Sequence, residues 1–254
     1  MSRPAGSLEL YHFQDSVCSF KVRLCLAEKG LAWTEHHLDL LKFEHLQPAY
    51  LALNPAGVVP TLVHDGRPIV ESSVINEYLD EVFPSPSLRP ADAAQRADMR
   101  VWVKFEDDVL HPAVRPGTFN LMLKSVVRQM SPQALADMVA AHPKPEVAQD
   151  WLRVAQGPVD EDAMAAARAK LDAALAKMER RLARHPWLAG EDYSLADIAL
   201  VPMLDRMVFL GLSAVWQDKP GVSAWFERVQ ARPAFGVAAP RPEQRMVNAT
   251  ACVA

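Results

Sequence analysis

The stretch "LYHFQDSVCSFKVRLCLAEKG", residues 10–30, decides the fold. Its opening residues continue an apolar run that starts at residue 8 and ends at Phe13, the length of a strand. The period then changes. Val22, Cys25 and Leu26 fall at 0, 3 and 4, one face of a helix over residues 17–29, and Gly30 is the residue type that closes a helix by turning left-handed. Residues 33–38 read as a second strand. Strand, helix and strand in so short a span require a right-handed crossover between parallel strands.

Downstream, a weak helix over residues 44–53 ends before Asn54-Pro55. In "VVPTLVHDGRPIVESSVINEYLDEVFP", residues 58–84, Asp65-Gly66 suits a two-residue type I′ turn between short strands. The helix after it places Val74, Ile75, Tyr78, Leu79 and Val82 on one face. "PSPSLRPAD", residues 84–92, is a proline-rich connector and the expected domain boundary. Beyond it every signal is helical. Met99, Trp102, Val103, Glu106 and Leu110 share a helical period. Residues 124–160 read as a broken helical insertion punctuated by Pro132, Pro143, Pro145 and Pro158. Met164, Ala167, Leu171, Leu175, Met178 and Leu182 form an amphipathic stripe. In "YSLADIALVPML", residues 193–204, Ser194 is an N-cap with Asp197 as its reciprocal acceptor, and Tyr193 and Ile198 form a hydrophobic staple. Residues 220–231 give a last short helix.

The expected architecture is therefore α/β plus all-α: a small βαβ-ββα domain (1–84), a linker (85–91), an all-helical domain (92–236) and a loose tail (237–254). Composition agrees with a folded chain. Of 254 residues, 50% are hydrophobic and 23% charged. A net charge of −4 and a pI near 6.1 give no basic footprint for nucleic acid. No apolar run reaches membrane-spanning length, and the N-terminus shows no signal region. Three cysteines, Cys18, Cys25 and Cys252, fit a reducing cytoplasm better than a disulfide framework. No Cys/His cluster has zinc spacing, and no nucleotide-binding glycine motif occurs.

Three places carry candidate chemistry. Val59-Pro60 is either a strand-start device or, if cis, a tight turn that leaves the Val59 backbone free to pair with a small peptide as an added strand. Ser72 is either a plain N-cap with Glu71 beside it, or part of a helix N-terminus that binds a carboxylate while Glu71 pairs with an ammonium. Ser16, Cys18 and Ser19 can each cap the helix. A helix N-terminus also stabilises an anion, and a hydroxyl there can donate to a thiolate. Together these places suit a peptide backbone, an α-amino acid end and a sulfur on one sheet edge. Cys25 shares the apolar face with Val22 and reads as core, and Cys252 lies in the tail without a chemical role. Trp102, Met122 and Trp216 are either core or lining for a second ligand.

"SVCSFKVRLCLAEKG", "NPAGVVPTLV", "ESSVINEYL" and "YSLADIAL" stand in the order and spacing of the glutathione transferase family, which the chain resembles over about residues 8–235. The resemblance implies a thioredoxin-like first domain that binds glutathione as co-substrate, and a helical domain that receives an apolar or aromatic second substrate. It also implies a cytoplasmic homodimer. It implies that Val59 pairs with the cysteinyl unit, that Pro60 is cis, that Glu71 and Ser72 hold the γ-glutamyl end, and that Lys42 reaches the glycyl carboxylate. The activating position has three registers. Zeta, tau and omega classes place their catalytic residue at Ser16. The "S-V-C-S" pattern is similar to "S-I-C-S" of tetrachlorohydroquinone reductive dehalogenases, whose nucleophile falls at Cys18. Bacterial β-aryl etherases place a serine at Ser19. "KFE" at Lys42, "SLRPADAAQRADMRVWVK" and "PEVAQDWLRVAQG" resemble the etherases, and the dehalogenases have a similar insertion. Ser16 is the first choice from family register. The implied function is glutathione-dependent transfer to an electrophilic aromatic substrate, with β-aryl ether cleavage as one form. The alternatives are a reductive dehalogenase or isomerase using Cys18, a non-catalytic binding module, and a carrier that sequesters apolar molecules.

Overall fold

The computed structural model describes residues 6–246. Strand β1 (Leu8–His12) lies parallel to β2 (Thr34–His37) and antiparallel to β3 (Thr61–His64), which pairs with β4 (Arg67–Ile69), giving the sheet order β2-β1-β3-β4. The crossover from β1 to β2 is α1 (Val17–Glu28), and Gly30 turns left-handed after it with φ 62°. Asp65 and Gly66 both have positive φ, as a type I′ hairpin turn requires. Between β2 and β3 the expected weak helix is two 3₁₀ turns, Leu40–Lys42 and Glu44–Leu46, and the single turn α2 (Pro48–Leu51).

Helix α1 packs against α3 (Ser72–Val82) and against α10 (Leu195–Phe209) and α12 (Pro233–Ala238) of the helical layer. It is buried nearly all round, so even its charged residues need partners. Arg23 donates to the carbonyls of Ala238 and Gln14 and meets His12 Nδ1. The face of α3 differs from the expected one: Val74 and Val82 are exposed, and Ile75, Asn76, Leu79 and Asp80 are buried. The polar members can turn inward because each finds partners. Asn76 donates to the Lys21 carbonyl, while Asp80 accepts from Lys29 Nζ at 2.7 Å and from the Leu88 N–H at 2.8 Å.

After the connector, residues 93–129 run as one continuous helix: α4 (Ala93–Phe105), a π-helical turn (Glu106–Leu110), α5 (His111–Gly117), a second π-helical turn (Thr118–Leu123) and α6 (Lys124–Gln129). Pro112 and Pro116 offer no N–H to the turn before them, and the widened turns accommodate the lost bonds. The insertion is helical and broken at its prolines, as expected. Pro132 and Pro145 open α7 (Pro132–Ala141) and α8 (Pro145–Gln156), a first-turn position where the missing N–H costs nothing.

The expected stripe on α9 (Glu161–Leu182) is buried throughout. Ser194 caps α10 (Leu195–Phe209) in a capping box with Asp197. Asp197 also accepts from the Leu188 N–H at 3.1 Å and from Trp225 Nε1 at 2.8 Å, joining α10 to α11 (Pro220–Gln230). A further helix, α12 (Pro233–Ala238), comes after α11, so the helix over residues 220–231 is not the last. The tail expected to be loose is fastened as far as Met246: Arg245 pairs with Asp205 at 2.6 Å and Asp15 at 3.3 Å, and the Met246 N–H bonds Asp15 at 3.0 Å. Two carboxylates offered by the body of the protein supply the anchoring that composition alone hides. Cys252 lies outside the described residues.

Candidate functional site

A cavity of about 690 Å³ opens between the sheet edge and the long helix. Its sheet side is built from three chain starts. At the first, Ser16 is extended and caps α1, its Oγ accepting from the Ser19 N–H at 3.2 Å. Among the described residues none accepts the Ser16 hydroxyl proton, and Ser16 lines the cavity. Cys18 lines it too. Its Sγ lies 4.0 Å from His111 Nδ1, and burial pushes the thiol pKa up despite the nearby Lys21. Ser19 is fully buried, away from the cavity wall, with Oγ unpartnered. The three candidates therefore separate: Ser16 and Cys18 face the cavity and Ser19 does not. Cys25 is core as expected, and burial pushes its thiol up as well.

At the second start, the Val59-Pro60 bond is cis, and Val59 borders the cavity with its backbone N–H and C=O unpaired among the described residues. The neighbouring Val58 carbonyl is tied down by Tyr50 Oη and Asn54 Nδ2, which holds the turn in place. At the third, Glu71 has φ 67°, a left-handed conformation that is uncommon outside glycine. Strain of this kind is tolerated where the surroundings over-determine it, as functional sites do. Glu71 itself, not Ser72, occupies the N-cap of α3; Ser72 is the first helical residue and borders the cavity beside Glu71. Lys42 is not brought to the cavity. Its side chain is largely exposed and pairs with Asp39 at 3.1 Å, while Leu41, Phe43 and His45 of the same loop form wall.

The helical side comes from the long helix and the insertion. Asp107, His111, Arg115, Thr118, Phe119 and Met122 recur about every four residues along one face. Met138 of α7 and Trp151 of α8 close the apolar end, where Phe119 and Trp151 meet edge-on at 6.2 Å. Of the three candidates for lining, Met122 is in the wall. Trp102 and Trp216 are core, packed against Phe105 and Phe226. Lys21, wholly buried, ties the two sides by donating to Glu106, to Asp107 Oδ1 at 3.1 Å and to Ser73 Oγ at 3.2 Å. Against the pull of burial, Lys21 holds the Asp107 carboxyl below its usual range. At the far side of Ser16, Arg206 of α10 bonds the Asp15 carbonyl and its Oδ1 at 2.7 Å.

Sequence reasoning missed Asp107, His111, Arg115, Phe119, Met138, Trp151 and Arg206. The signal for most of them was present. The stripe that ends at Leu110 has a second, cavity-facing stripe beside it, and the prolines within 112–145 hid its continuity.

Family models for the glutathione S-transferase N-terminal domain and C-terminal domain match residues 10–87 and 161–228. The protein LigF of Sphingobium sp. strain SYK-6 is 35% identical over 236 residues, covering 90% of this chain and 91% of LigF. The crystal structure of LigF, described as a β-etherase, superposes with a TM-score of 0.78 at 33% identity, over 91% of this chain and 98% of that one. A maleylacetoacetate isomerase of Pseudomonas aeruginosa is 32% identical, covering 92% of this chain and 96% of the isomerase. A tetrachloro-p-hydroquinone reductive dehalogenase of Sphingobium chlorophenolicum is 28% identical over the same shares.

Proposed function

The chain belongs to the glutathione S-transferase family, and from that premise we propose that it transfers glutathione to an electrophilic aromatic substrate, with β-aryl ether cleavage as its reaction. One observation carries the reading: a single cavity joins the free Val59 edge, the α3 start at Glu71 and Ser72, and the Ser16 hydroxyl to an apolar wall of Phe119, Met122 and Trp151. The cysteinyl unit of glutathione pairs with Val59 as an added strand. The γ-glutamyl carboxylate lies on the α3 N-terminus, and its ammonium meets Glu71. Lys42 would reach the glycyl carboxylate only by releasing Asp39. Ser16 donates to the sulfur, favouring thiolate at neutral pH, and the thiolate attacks the electrophile held on the apolar wall.

The test is product analysis by mass spectrometry with glutathione and a β-aryl ether ketone, a halogenated hydroquinone or a chloronitroarene. A glutathionyl product from the ether, lost in Ser16→Ala and kept in Cys18→Ala, is expected. Dehalogenated product lost only in Cys18→Ala would replace this reading with reductive dehalogenation. Bound glutathione with no product from any substrate would leave an isomerase or a binding protein.

The family reading brings a homodimer. Its support here is a surface on α3 and α4, where Val74 and Val101 are 55% and 58% exposed and Arg100 pairs with Glu77 at 3.0 Å. Val101→Asp is expected to shift the protein to monomer in analytical ultracentrifugation; an unchanged dimer would move the interface elsewhere. A cytoplasmic location goes with the same reading: Cys18 and Cys25 are free thiols, and no described helix is long and apolar enough to cross a membrane.

A further inference from the structure

Two groups on the long helix remain without a role in the transferase reading. His111 and Arg115 stand at i and i+4 on α5, on one face, and both line the cavity. Among the described residues, most charges in the wall are already paired: Asp15 with Arg206, and Asp107 with Lys21. Glu71 and Arg115 are not. Glu71 has an ammonium to meet in the proposed glutathione pose. Among the described residues Arg115 has no hydrogen-bond or ion-pair partner, and it lies one helical turn beyond the residue that touches Cys18.

We propose that His111 and Arg115 form an oxyanion subsite for the leaving-group oxygen of the second substrate, so that the preferred electrophiles are aryl ethers departing as phenolates. The proposal rests on the transferase reading and deepens it by assigning the contact to the leaving group. Position supports it. The thiol of glutathione is expected at the start of α1, where Cys18 and His111 adjoin. Arg115 lies about 6 Å further along the helix axis, toward the apolar wall that would take the departing ring. Chemistry supports it as well. Burial, aided by Lys21, pushes His111 down to about 4, so the ring is neutral at working pH. Cys18 keeps its proton and can donate to His111 Nδ1, which leaves the ring proton on Nε2. A neutral imidazole N–H and a guanidinium fork then face one region of the cavity. Both are donors without acceptor capacity there, a preformed match for an oxygen that gains negative charge as its bond breaks.

In the step itself, the thiolate forms a carbon–sulfur bond and the carbon–oxygen bond breaks with its electron pair leaving on oxygen. The phenolate is held by the two donors and takes its proton from water. No oxidant or reductant enters. Cys18 acts here as a positioning residue, fixing the tautomer of His111.

The experiment has a binding arm and a kinetic arm. In the first, 4-nitrophenolate is titrated into glutathione-saturated protein, with nitrobenzene as the uncharged control. Arg115→Met and His111→Phe are expected to weaken nitrophenolate at least about tenfold and to leave nitrobenzene and glutathione affinities unchanged. Equal weakening of both aromatic ligands, or loss of glutathione affinity in Arg115→Met, overturns the proposal; the latter would make Arg115 a glutathione contact. In the second, kcat/KM is measured for aryl ethers of graded phenol acidity. The variants should lose most on the least acidic phenols, steepening the dependence on leaving group. A uniform loss across the series also overturns it. Wild-type protein that prefers nitrophenolate yet cleaves no aryl ether would sink the ether reading and leave the oxyanion subsite standing.

Discussion

Ser16 shows how a capping residue can also serve a reaction. Its Oγ accepts the Ser19 N–H with one lone pair, and its proton stays available to a sulfur in the cavity. Ser16→Ala removes a bond to an anion, which contributes roughly 1.5–3 kcal/mol, so turnover should fall about ten- to hundredfold. The thiolate absorbance of bound glutathione should titrate at higher pH in the same variant; an unmoved titration would remove Ser16 as activator. Ser19→Ala should leave that titration unchanged, because its hydroxyl never reaches the cavity. Asp197 belongs to the fold instead. Burial pushes its carboxyl up to about 6, despite donors from Leu188, Trp225 and Ser194. A raised folded-state pKa means that protonation favours the fold. That contribution is full below about pH 4 and is lost as pH rises through about 6. Asp197→Ala strands the donors of Leu188, Trp225 and Ser194 and breaks a cap, so it should cost roughly 3 kcal/mol or more, with a larger difference from wild type at pH 4 than at pH 7 in denaturant melts. Turnover below the melting range should persist.

The elements were legible where periodicity and punctuation agree. In β1–α1–β2 the apolar period switches once and Gly30 ends the helix, and the hairpin announces itself through Asp65-Gly66. The buried face of α3 was not legible, because Asn76 and Asp80 look like solvent positions until Lys21, Lys29 and Leu88 are placed beside them. The insertion was legible as helices broken at prolines, but its bounds were not, for a different reason. Proline can stop a helix or start one, and only the backbone before it decides. Helices α7 and α8 matter because they supply Met138 and Trp151 to the cavity. Trp151→Ala should raise KM for the aromatic substrate about tenfold while calorimetry finds glutathione affinity unchanged, the pattern for a lost apolar contact. A parallel loss of glutathione affinity would mean that the insertion shapes the whole site.

At the scale of the molecule, the site is assembled from positions far apart in the chain. Asp15, one residue before Ser16, is held by Arg206, Arg245 and the Met246 N–H, and Arg206 stands 191 positions away. No local pattern can announce such a clamp, because its members meet only after the helical layer has closed over α1. Ending the chain at residue 239 removes Arg245 and Met246 from it. The shortened protein should lose about 1–3 kcal/mol, a drop of several degrees in Tm for a chain of this size, and its turnover should fall because the loop carrying Ser16 is less well held. Full turnover in the shortened protein would show that Arg206 alone suffices. The widened turns of the 93–129 helix have a consequence of another kind. Each takes up one residue more than an ordinary turn, so each is a place where the chain can lose or gain a residue and remain helical. A single deletion within 118–123 would convert the widened turn to an ordinary one and change which of its side chains, Thr118, Phe119 and Met122 among them, meet the ligand, leaving Ser16, Val59 and Glu71 untouched. Substrate range in this scaffold is thus open to change by length as well as by substitution, and a library of one-residue insertions and deletions in that segment is the direct way to explore it.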